Sequence, residues 1–401
     1  MQPRFPAKVL LFLSFLCLVS GPVEANPMDT FGYGSRAIGM GGAATATADS
    51  YEACYYNPAG LARLAGKGPE LGLGVLMYRP FLKVNGRDSE ANRTRVLYDV
   101  GIASPIPFGK GVWDMLFLGI NVQIPGARVY SIRARAPNEP HFPFLEDTNR
   151  RLVLNVAAAL RLWKNVAIGA GFSMLPDVYG VLRVDDPSTS VDVDLNLSPN
   201  VGLLIEPIGE MVIGITWRGA NRSFISVVSM DPDLQVDAYD YSTPHEIALG
   251  VAGKVGPVVL SGDFTYYFYR YFKQSKATTG ANGSNAPGLS DAVAVRLGAE
   301  WRVIDAVQLR AGFSWIQSPV PAQEGETNLL DGDRYTGSLG LGFDAAAIGG
   351  PPIQLDAHVA WSYMTANNDA KTDFNPDNPG FPSISSSGSI LNAGLTAKVS
   401  F

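Results

Sequence analysis

The sequence predicts an all-β fold: a 14-stranded antiparallel transmembrane β-barrel with an N-terminal hatch, or plug, inside its lumen. Three observations predict this fold. Apolar and polar residues alternate with a period of two over most of the chain. The connections between the alternating segments are short and long in turn, and a glycine-rich N-terminal stretch lacks any strand pattern.

The first 25 residues have the features of a secretory signal peptide. Arg4 and Lys8 give a positive start, Val9 to Val19 form an apolar run, and Val23-Glu24-Ala25 provides the cleavage position. The run is shorter than the roughly 20 apolar residues of a membrane-spanning helix, and a retained anchor is the alternative. We therefore expect an exported protein that is cleaved after Ala25.

Composition narrows the class of the exported chain. Apolar residues make up 46% of the sequence, glycines number 43, and charged residues are only 17%, below the usual fraction of about one quarter. The net charge of −6 and the lack of a basic patch argue against nucleic acid as a partner. Cys17 lies in the signal peptide, which leaves Cys54 alone and excludes an internal disulfide.

Strict alternation predicts strands with one apolar and one polar face. From Val293 to Val303 the odd positions are apolar, whereas the even positions include Arg296, Glu300 and Arg302. We interpret such polar-face residues, with Asp263 and Arg310, as wall charges that pair across a wet lumen. Fourteen segments have the pattern, near residues 69–79, 94–104, 112–124, 149–162, 164–175, 190–205, 210–219, 243–254, 257–271, 291–303, 306–317, 334–344, 352–365 and 389–401.

The connections distinguish a membrane barrel from a soluble sheet protein. Tight turns such as residues 162–165 and 254–257 alternate with long polar loops such as 276–288 and 365–387. Short turns at one rim and long loops at the other are typical of outer-membrane barrels, and a sheet in lipid must close because unpaired backbone groups are costly there. The alternative is one or two soluble β-sandwiches. Several aromatic residues suit interfacial girdles: Trp163, Trp217, Trp301, Trp315, Trp361 and the cluster 266–271.

The same alternation of short turns and long loops predicts where the N-terminal segment lies. Because the last strand ends on the short-turn rim, the first strand begins there, and residues 26–68 precede it. A barrel of this size has a lumen wide enough to need filling. We therefore expect a signal peptide at 1–25, a hatch at 26–68 and the transmembrane barrel at 69–401.

The glycine-rich segment carries a recognisable motif. It contains Gly39-Met40-Gly41-Gly42, then Ala48-Asp49, then Tyr55-Tyr56-Asn57-Pro58-Ala59-Gly60-Leu61. This order of motifs resembles the hatch of the FadL/TodX (OMPP1) family of outer-membrane transporters of hydrophobic compounds. Segments 243–250, 309–313 and 318–321 and the terminal Phe401 are similar to family segments as well.

The resemblance implies a plugged 14-stranded barrel with a pocket for an apolar ligand. It also implies lateral release into the bilayer through a gap at a kinked third strand that faces the Asn-Pro-Ala motif. By this resemblance Asn57, Pro58 and Ala59 form the hatch gate, although a helix-capping turn without a gating role is the alternative. The third strand would end at Pro125-Gly126, and the loop at 176–190, which captures ligand in some relatives, is short and acidic here.

The resemblance therefore implies a channel in the bacterial outer membrane, a multi-pass β-barrel, for passive uptake of hydrophobic molecules. Long-chain fatty acids are the leading ligand, and aromatic hydrocarbons are the alternative. We expect outer-membrane lipid as a further partner and no cofactor or metal. The sequence does not predict the subunit number. Arg36 and Arg63 are candidate contacts for a ligand carboxylate, unless they pair with wall acids such as Asp99 or Asp263.

Other activities have weaker support in the sequence. His141, His245 and His358 lack metal-ligand spacing, and no nucleophile elbow motif occurs. We do not expect an enzyme. An outer-membrane lipid hydrolase remains as an alternative of a different class and would need a Ser/His pair at the long-loop rim, where His141 lies. An open polar porin is disfavoured by the plug-like N-terminus.

Overall fold

A computed structural model describes residues 27–106, 116–126, 130–132, 139–145, 149–182, 190–229, 235–271, 289–372 and 374–401. The proposed signal peptide, residues 1–25, lies outside the described residues.

The chain forms a closed antiparallel barrel of fourteen strands, as the alternation predicts. Each barrel strand pairs with the next one, and the last pairs with the first from Glu70↔Ser400 to Val84↔Ser386. The barrel strands are β1 Glu70–Val84, β2 Arg95–Pro105, β3 Leu116–Pro125, β4 Val153–Trp163, β5 Val166–Leu182, β6 Ser190–Ile205, β7 Val212–Arg218, β8 Glu246–Val255, β9 Val258–Tyr267, β10 Ala292–Ile304, β11 Val307–Ile316, β12 Arg334–Asp344, β13 Ile353–Ala370 and β14 Ser383–Ser400.

Shorter strands extend the long-loop rim. Arg87–Asp88 folds back and pairs antiparallel with the end of β1, and Tyr130–Ile132 pairs with Asn149–Arg151. A hairpin of Asn221–Ser229 and Gln235–Thr243 follows β7, and its first strand runs parallel to the end of β5. The backbone of β5 continues through residues 176–182, where the sequence analysis placed a short loop.

The alternation places apolar side chains on the outer face. On β12, Leu339 and Leu341 are 62% and 50% exposed, whereas Ser338, which precedes Leu339, is buried. Trp163, Trp301 and Trp361 are also exposed on the outer surface or its rims. A continuous exposed apolar face is costly in water and suits the hydrocarbon of a bilayer.

Residues 27–68, the described part of the predicted hatch, fill the lumen. They form three short α-helices, α1 Pro27–Phe31, α2 Ser35–Gly39 and α3 Ala53–Tyr56, and a 3-10 helix, Pro58–Leu64. Two further 3-10 helices, Tyr269–Tyr271 and Ala346–Ile348, lie in connections. No helix among the residues that the structure describes is long and apolar enough to span a membrane.

Glycines in the wall let the hatch pack directly against the barrel backbone. An added Cβ on Gly72 would lie 1.8 Å from the Tyr51 ring, and one on Gly101 would lie 1.9 Å from it. Position 41 of the hatch also requires glycine, because its φ is +67° and a Cβ there would lie 2.7 Å from Phe313 N. We call the wall positions that touch the hatch in this way the glycine belt. They are Gly72, Gly101, Gly119, Gly169, Gly202, Gly214, Gly250, Gly298, Gly312 and Gly340.

Candidate functional site

The Asn-Pro-Ala motif joins the hatch to the barrel wall. Asn57 is fully buried, and its Oδ1 accepts a hydrogen bond of 3.1 Å from Ala59 N, which caps the 3-10 helix that begins at Pro58. Its Nδ2 donates to Thr45 O at 2.9 Å within the hatch and to Leu203 O of β6 at 3.2 Å. One amide therefore caps a helix and also binds two other backbone segments.

The motif faces β5 and β6. Gly169 and Gly202 are partners across these two strands. A Cβ on Gly202 would lie 2.0 Å from Asn57 Oδ1, and one on Gly169 would lie 2.3 Å from Ala59 N. These two glycines form the surface on which the motif rests.

The third strand contacts a different part of the hatch. An added Cβ on Gly119 would lie 2.5 Å from Cys54 Sγ and 2.8 Å from Leu61 Cδ2. β3 ends at Pro125, as the sequence predicts. It pairs with β2 from Phe117 to Pro125 and with β4 from Leu116 to Gln123 without a register shift. Along its described residues the strand therefore has no interruption of pairing of the kind that the family resemblance implies.

Wall side chains satisfy the backbone carbonyls around α3. Such orphan groups at helix ends need partners, particularly when they are buried. Four wall side chains donate to them: Asn121 to Tyr51 O, Asn200 to Cys54 O, Arg218 to Tyr55 O and Thr216 to Tyr56 O, over 2.9–3.3 Å. The hatch is thus held by polar contacts as well as by apolar packing.

Ion pairs join the hatch to the wall at a second place. Arg36 lies 2.8 Å from Asp49 and 2.8 Å from Glu300 of β10. Glu300 also binds Arg310 at 2.6 Å, and Arg310 binds Asp356 at 2.8 Å. Asp49 raises the pKa of Arg36 well above its usual value. Burial by itself raises the pKa of Asp49, but Arg36 and then Lys67 lower it to well below its usual range.

A central cavity lies between the hatch and the wall. It contains about 830 Å³ of atom-free space, including its opening to solvent. The large apolar and aromatic side chains that the hatch contributes to its lining are Met28, Phe31, Ile38, Tyr55 and Tyr56. The wall contributes four charged residues: Arg218, Glu246, Asp263 and Arg296. Such a mixture of apolar surface and a few polar groups is typical of small-molecule sites.

The two cavity arginines have different partners. Arg218 lies 3.2 Å from Glu246, and its guanidinium stacks over the Tyr55 ring at 4.1 Å. Arg296 donates instead to two hydroxyl oxygens, Thr265 Oγ1 and Tyr267 Oη, at 2.8 Å each. Among the residues described, no carboxylate comes within salt-bridge distance of Arg296. Its charge is therefore oriented by neutral groups at the cavity surface.

The structure separates the two arginines that the sequence singles out. Arg36 is engaged by Asp49 and Glu300 and does not line the central cavity. Arg63 lies at the short-turn rim, 3.4 Å from Glu206. A role for either one as a contact of a ligand carboxylate stays a prediction. Their acidic partners are not the suggested ones, since Asp99 accepts from Gln123 and Asp263 accepts from Thr45 N.

The histidines have structural partners. His245 Nδ1 accepts a hydrogen bond of 3.0 Å from Ala220 N, and the ring stacks on Trp217. His358 bonds to Asn392 at 3.1 Å, and His141 bonds to Glu139 O at 2.7 Å. No cluster of three or more His, Cys, Asp or Glu residues that could hold a metal ion occurs in the part of the chain that the structure describes.

The closed barrel, its apolar outer face and the segment inside its lumen define a plugged transmembrane β-barrel. Residues 259–401 match the family described as "Outer membrane protein transport protein (OMPP1/FadL/TodX)". This match confirms the resemblance to the FadL/TodX family over residues 259–401. No curated protein matches the chain in sequence.

Solved structures with this fold cover nearly the whole chain. A Pseudomonas aeruginosa FadL homologue has 14% identity and a TM-score of 0.67 over 96% of this chain and 99% of its own. The CymD monoaromatic hydrocarbon channel has 16% identity and a TM-score of 0.58 over 92% of this chain and 97% of its own. The Ralstonia pickettii toluene transporter TbuX has 17% identity and a TM-score of 0.57 over 92% and 99%. At these identities the likeness establishes the fold.

Proposed function

We propose that this protein is an outer-membrane channel for passive uptake of hydrophobic molecules, with long-chain fatty acids as its foremost ligands. The central cavity carries this proposal. Apolar hatch side chains such as Met28, Phe31 and Ile38 suit an acyl chain, and Arg296 supplies a cation for a carboxylate. Arginine binds carboxylates well because its planar donors match the two oxygens.

Uptake of aromatic hydrocarbons is the second candidate. It is favoured by the names of CymD and TbuX, which are channels for monoaromatic hydrocarbons and toluene. The tyrosines of the central cavity also suit aromatic rings. A bare hydrocarbon would leave Arg296 without a new partner, and this favours a ligand with a polar head.

The proposed gate is the Asn57-Pro58-Ala59 motif. Its side chain and backbone bonds connect Thr45 of the central cavity, the 3-10 helix and β6. A ligand that displaces the motif breaks all of these contacts together, so the hatch has two discrete arrangements in this proposal. Movement through the channel is passive in this proposal and follows the ligand gradient. Lateral release into the membrane, implied by the family resemblance, is part of the same proposal.

Uptake of a labelled long-chain fatty acid tests this function. Bacterial cells that lack their own transporter would be supplied with the intact protein, with Asn57→Ala, or with Asn368→Ala, a change at an exposed position. We expect uptake with the intact protein and the Asn368 variant and a clear loss with Asn57→Ala. The loss of a buried side chain with three hydrogen bonds would disturb the gate.

Two results would contradict the proposal. Absence of fatty-acid uptake by cells that display a correctly folded, heat-modifiable barrel would exclude fatty acids and leave aromatic hydrocarbons, tested with labelled toluene. Equal uptake by the two asparagine variants would exclude the motif as the gate.

A further inference from the structure

A second cavity, the rim cavity, lies beneath the hatch at the short-turn rim. It contains about 250 Å³ of atom-free space, including its opening to solvent. Its lining includes Ala59, Ala62 and Arg63 of the hatch, Arg161 and Trp163 at the end of β4, and Lys164 of the turn to β5. Trp163 is 65% exposed at the outer edge of this site. The rim cavity therefore lies between the lumen and the outer surface of the barrel.

The gate motif separates the two cavities. Tyr55 and Tyr56 line the central cavity, and Ala59 lines the rim cavity. Only Asn57 and Pro58 stand between them in the chain. On the wall, Leu203 O accepts from Asn57, and the next residue, Leu204, lines the rim cavity. Movement of these two hatch residues would connect the cavities.

The wall beside the motif has little side-chain bulk. Gly169 and Gly202 face the motif, and Ala167 lines the rim cavity below them. β5 and β6 pair with each other without a register shift, so the space for a ligand lies on the lumen side of the sheet. The path of least obstruction from the central cavity therefore runs along β5 and β6 toward the short-turn rim.

Charge distinguishes the rim cavity from the central one. Arg63, Arg161 and Lys164 bring three cations, and Glu206 brings one carboxylate. The Arg161 guanidinium donates to Ala62 O, which fixes it under the hatch. Arg63 lies 3.4 Å from Glu206, and both side chains are partly exposed, 23% and 43%. Among the lining residues the cations exceed the anions, so the site attracts a negative head group.

We propose that the rim cavity is the exit site, which binds the anionic head of a ligand that has passed Asn57 and Pro58. Arg63, Arg161 and Lys164 hold a carboxylate, which is ionised at neutral pH, while the acyl chain still lies against Ala59, Ala62 and Ala167. The ligand then leaves at the short-turn rim beside Trp163. This inference rests on the proposed function and adds the exit route and a requirement for a charged head.

Photo-cross-linking of the purified full-length protein tests the site directly. The probes are a long-chain fatty acid with a diazirine in its chain and the corresponding fatty alcohol. Labelled peptides are identified by mass spectrometry. In the intact protein we expect the acid to label residues 59–63 and 161–167. The double variant Arg63→Gln, Lys164→Gln should reduce this labelling about tenfold, since charge-assisted hydrogen bonds are lost.

Two controls make the result specific. Arg302→Gln removes an exposed cation elsewhere on the barrel and should leave the labelling unchanged. The alcohol should label the rim segments weakly in every variant. Labelling of residues 28–56 in the same digest reports binding in the central cavity. Loss of that labelling would contradict the proposed function, whereas loss of rim labelling alone would contradict only the exit site. The proposal would be overturned if the acid did not label the rim segments or if acid and alcohol labelled them equally. It would also be overturned if phospholipid, but not free fatty acid, displaced the label.

Filling the cavity provides an independent test. Ala167→Leu adds bulk to the rim cavity, whereas Ala170→Leu adds the same bulk three residues along β5 at an exposed position. We expect Ala167→Leu to lower fatty-acid uptake about tenfold or more and to retain labelling of the central cavity. Uptake equal to that of Ala170→Leu would overturn the exit route.

Discussion

Arg36 of the hatch donates two hydrogen bonds to Glu300 of β10, from Nε to Oε2 at 2.8 Å and from Nη2 to Oε1 at 3.1 Å. The residues are 264 positions apart in the chain. Glu300 also accepts from Arg310 Nε at 2.6 Å, so one wall carboxylate connects the hatch with β11. A bidentate arginine–carboxylate pair is geometrically specific, and displacement of this part of the hatch must break it.

We expect Arg36→Met to destabilise the protein by about 3 kcal/mol, because it leaves Asp49 and Glu300 without a shared cation in a mostly buried setting. Looser attachment of the hatch should also give openings in single-channel recordings that the intact protein does not show. Urea unfolding of the protein in lipid vesicles measures the free energy.

The matched control is Lys254→Met, which removes the exposed pair between Lys254 and Glu210 at 3.1 Å. Exposed pairs contribute about 0–1 kcal/mol. If both variants lose the same small amount of stability and stay closed, the Arg36 pair does not retain the hatch.

Gly202→Ala tests the contact between the motif and the wall. The added Cβ would lie 2.0 Å from Asn57 Oδ1, so Asn57 must shift and its bond to Leu203 O must weaken. We expect a loss of about 1–3 kcal/mol, the usual cost of overpacking, together with increased conductance. Gly337→Ala is the control because a Cβ there meets no atom within 4 Å. A stable, closed Gly202→Ala barrel would show that the motif does not seal the lumen at this glycine.

The barrel strands could be predicted because the alternation is a local signal. The segment predicted at 334–344 is β12, Arg334–Asp344, residue for residue. The signal fails at the long-loop rim, where apolar and polar residues do not alternate strictly. The hairpin at 221–243 and the start of β14 at Ser383 were therefore missed.

The partners of the site residues could not be predicted, since they depend on which distant segments meet. Period two places Arg296 and Glu300 on the polar face, but it does not reveal that Glu300 meets Arg36 while Arg296 faces a cavity. The glycine belt gives a partial signal. A glycine on the lumen face, as in Gly169 and Gly202, suggests close backbone approach, but only the fold identifies the approaching segment.

The buried carboxyl group of Glu52 makes the stability of the protein depend on pH. This hatch residue is 4% exposed, and its Oε1 has no hydrogen-bond partner among the described residues. Burial raises its pKa from 4.5 to about 7; Asp356 adds to this effect, and Lys398 and Arg36 oppose it. Below pH 4.5 the group is protonated in both the folded and the unfolded chain. Between pH 4.5 and 7 the folded chain holds more protons, so the free energy of unfolding falls as pH rises.

The slope from this one group is at most about 1.4 kcal/mol per pH unit. We expect Glu52→Gln to have little effect near pH 4 and to stabilise the protein increasingly up to pH 7, with no further gain above it. Denaturant unfolding of both proteins over this range measures the difference. Glu90→Gln, at an exposed loop position, should give a difference that does not change with pH. A flat difference for Glu52→Gln as well would mean that its carboxyl is solvated in the folded protein.

Arg296 distinguishes the two ligand classes. Its guanidinium is oriented by Thr265 Oγ1 and Tyr267 Oη at 2.8 Å each, and it faces the central cavity. For a fatty acid, Arg296→Gln should weaken binding about tenfold to a hundredfold, because a charge-assisted bond contributes about 1.5–3 kcal/mol. Binding of the matching fatty alcohol or of toluene should change little, since neither presents a charge. Arg302→Gln controls for net charge. Equal weakening for acid and alcohol would indicate that Arg296 shapes the cavity through Thr265 and Tyr267 and does not bind a carboxylate.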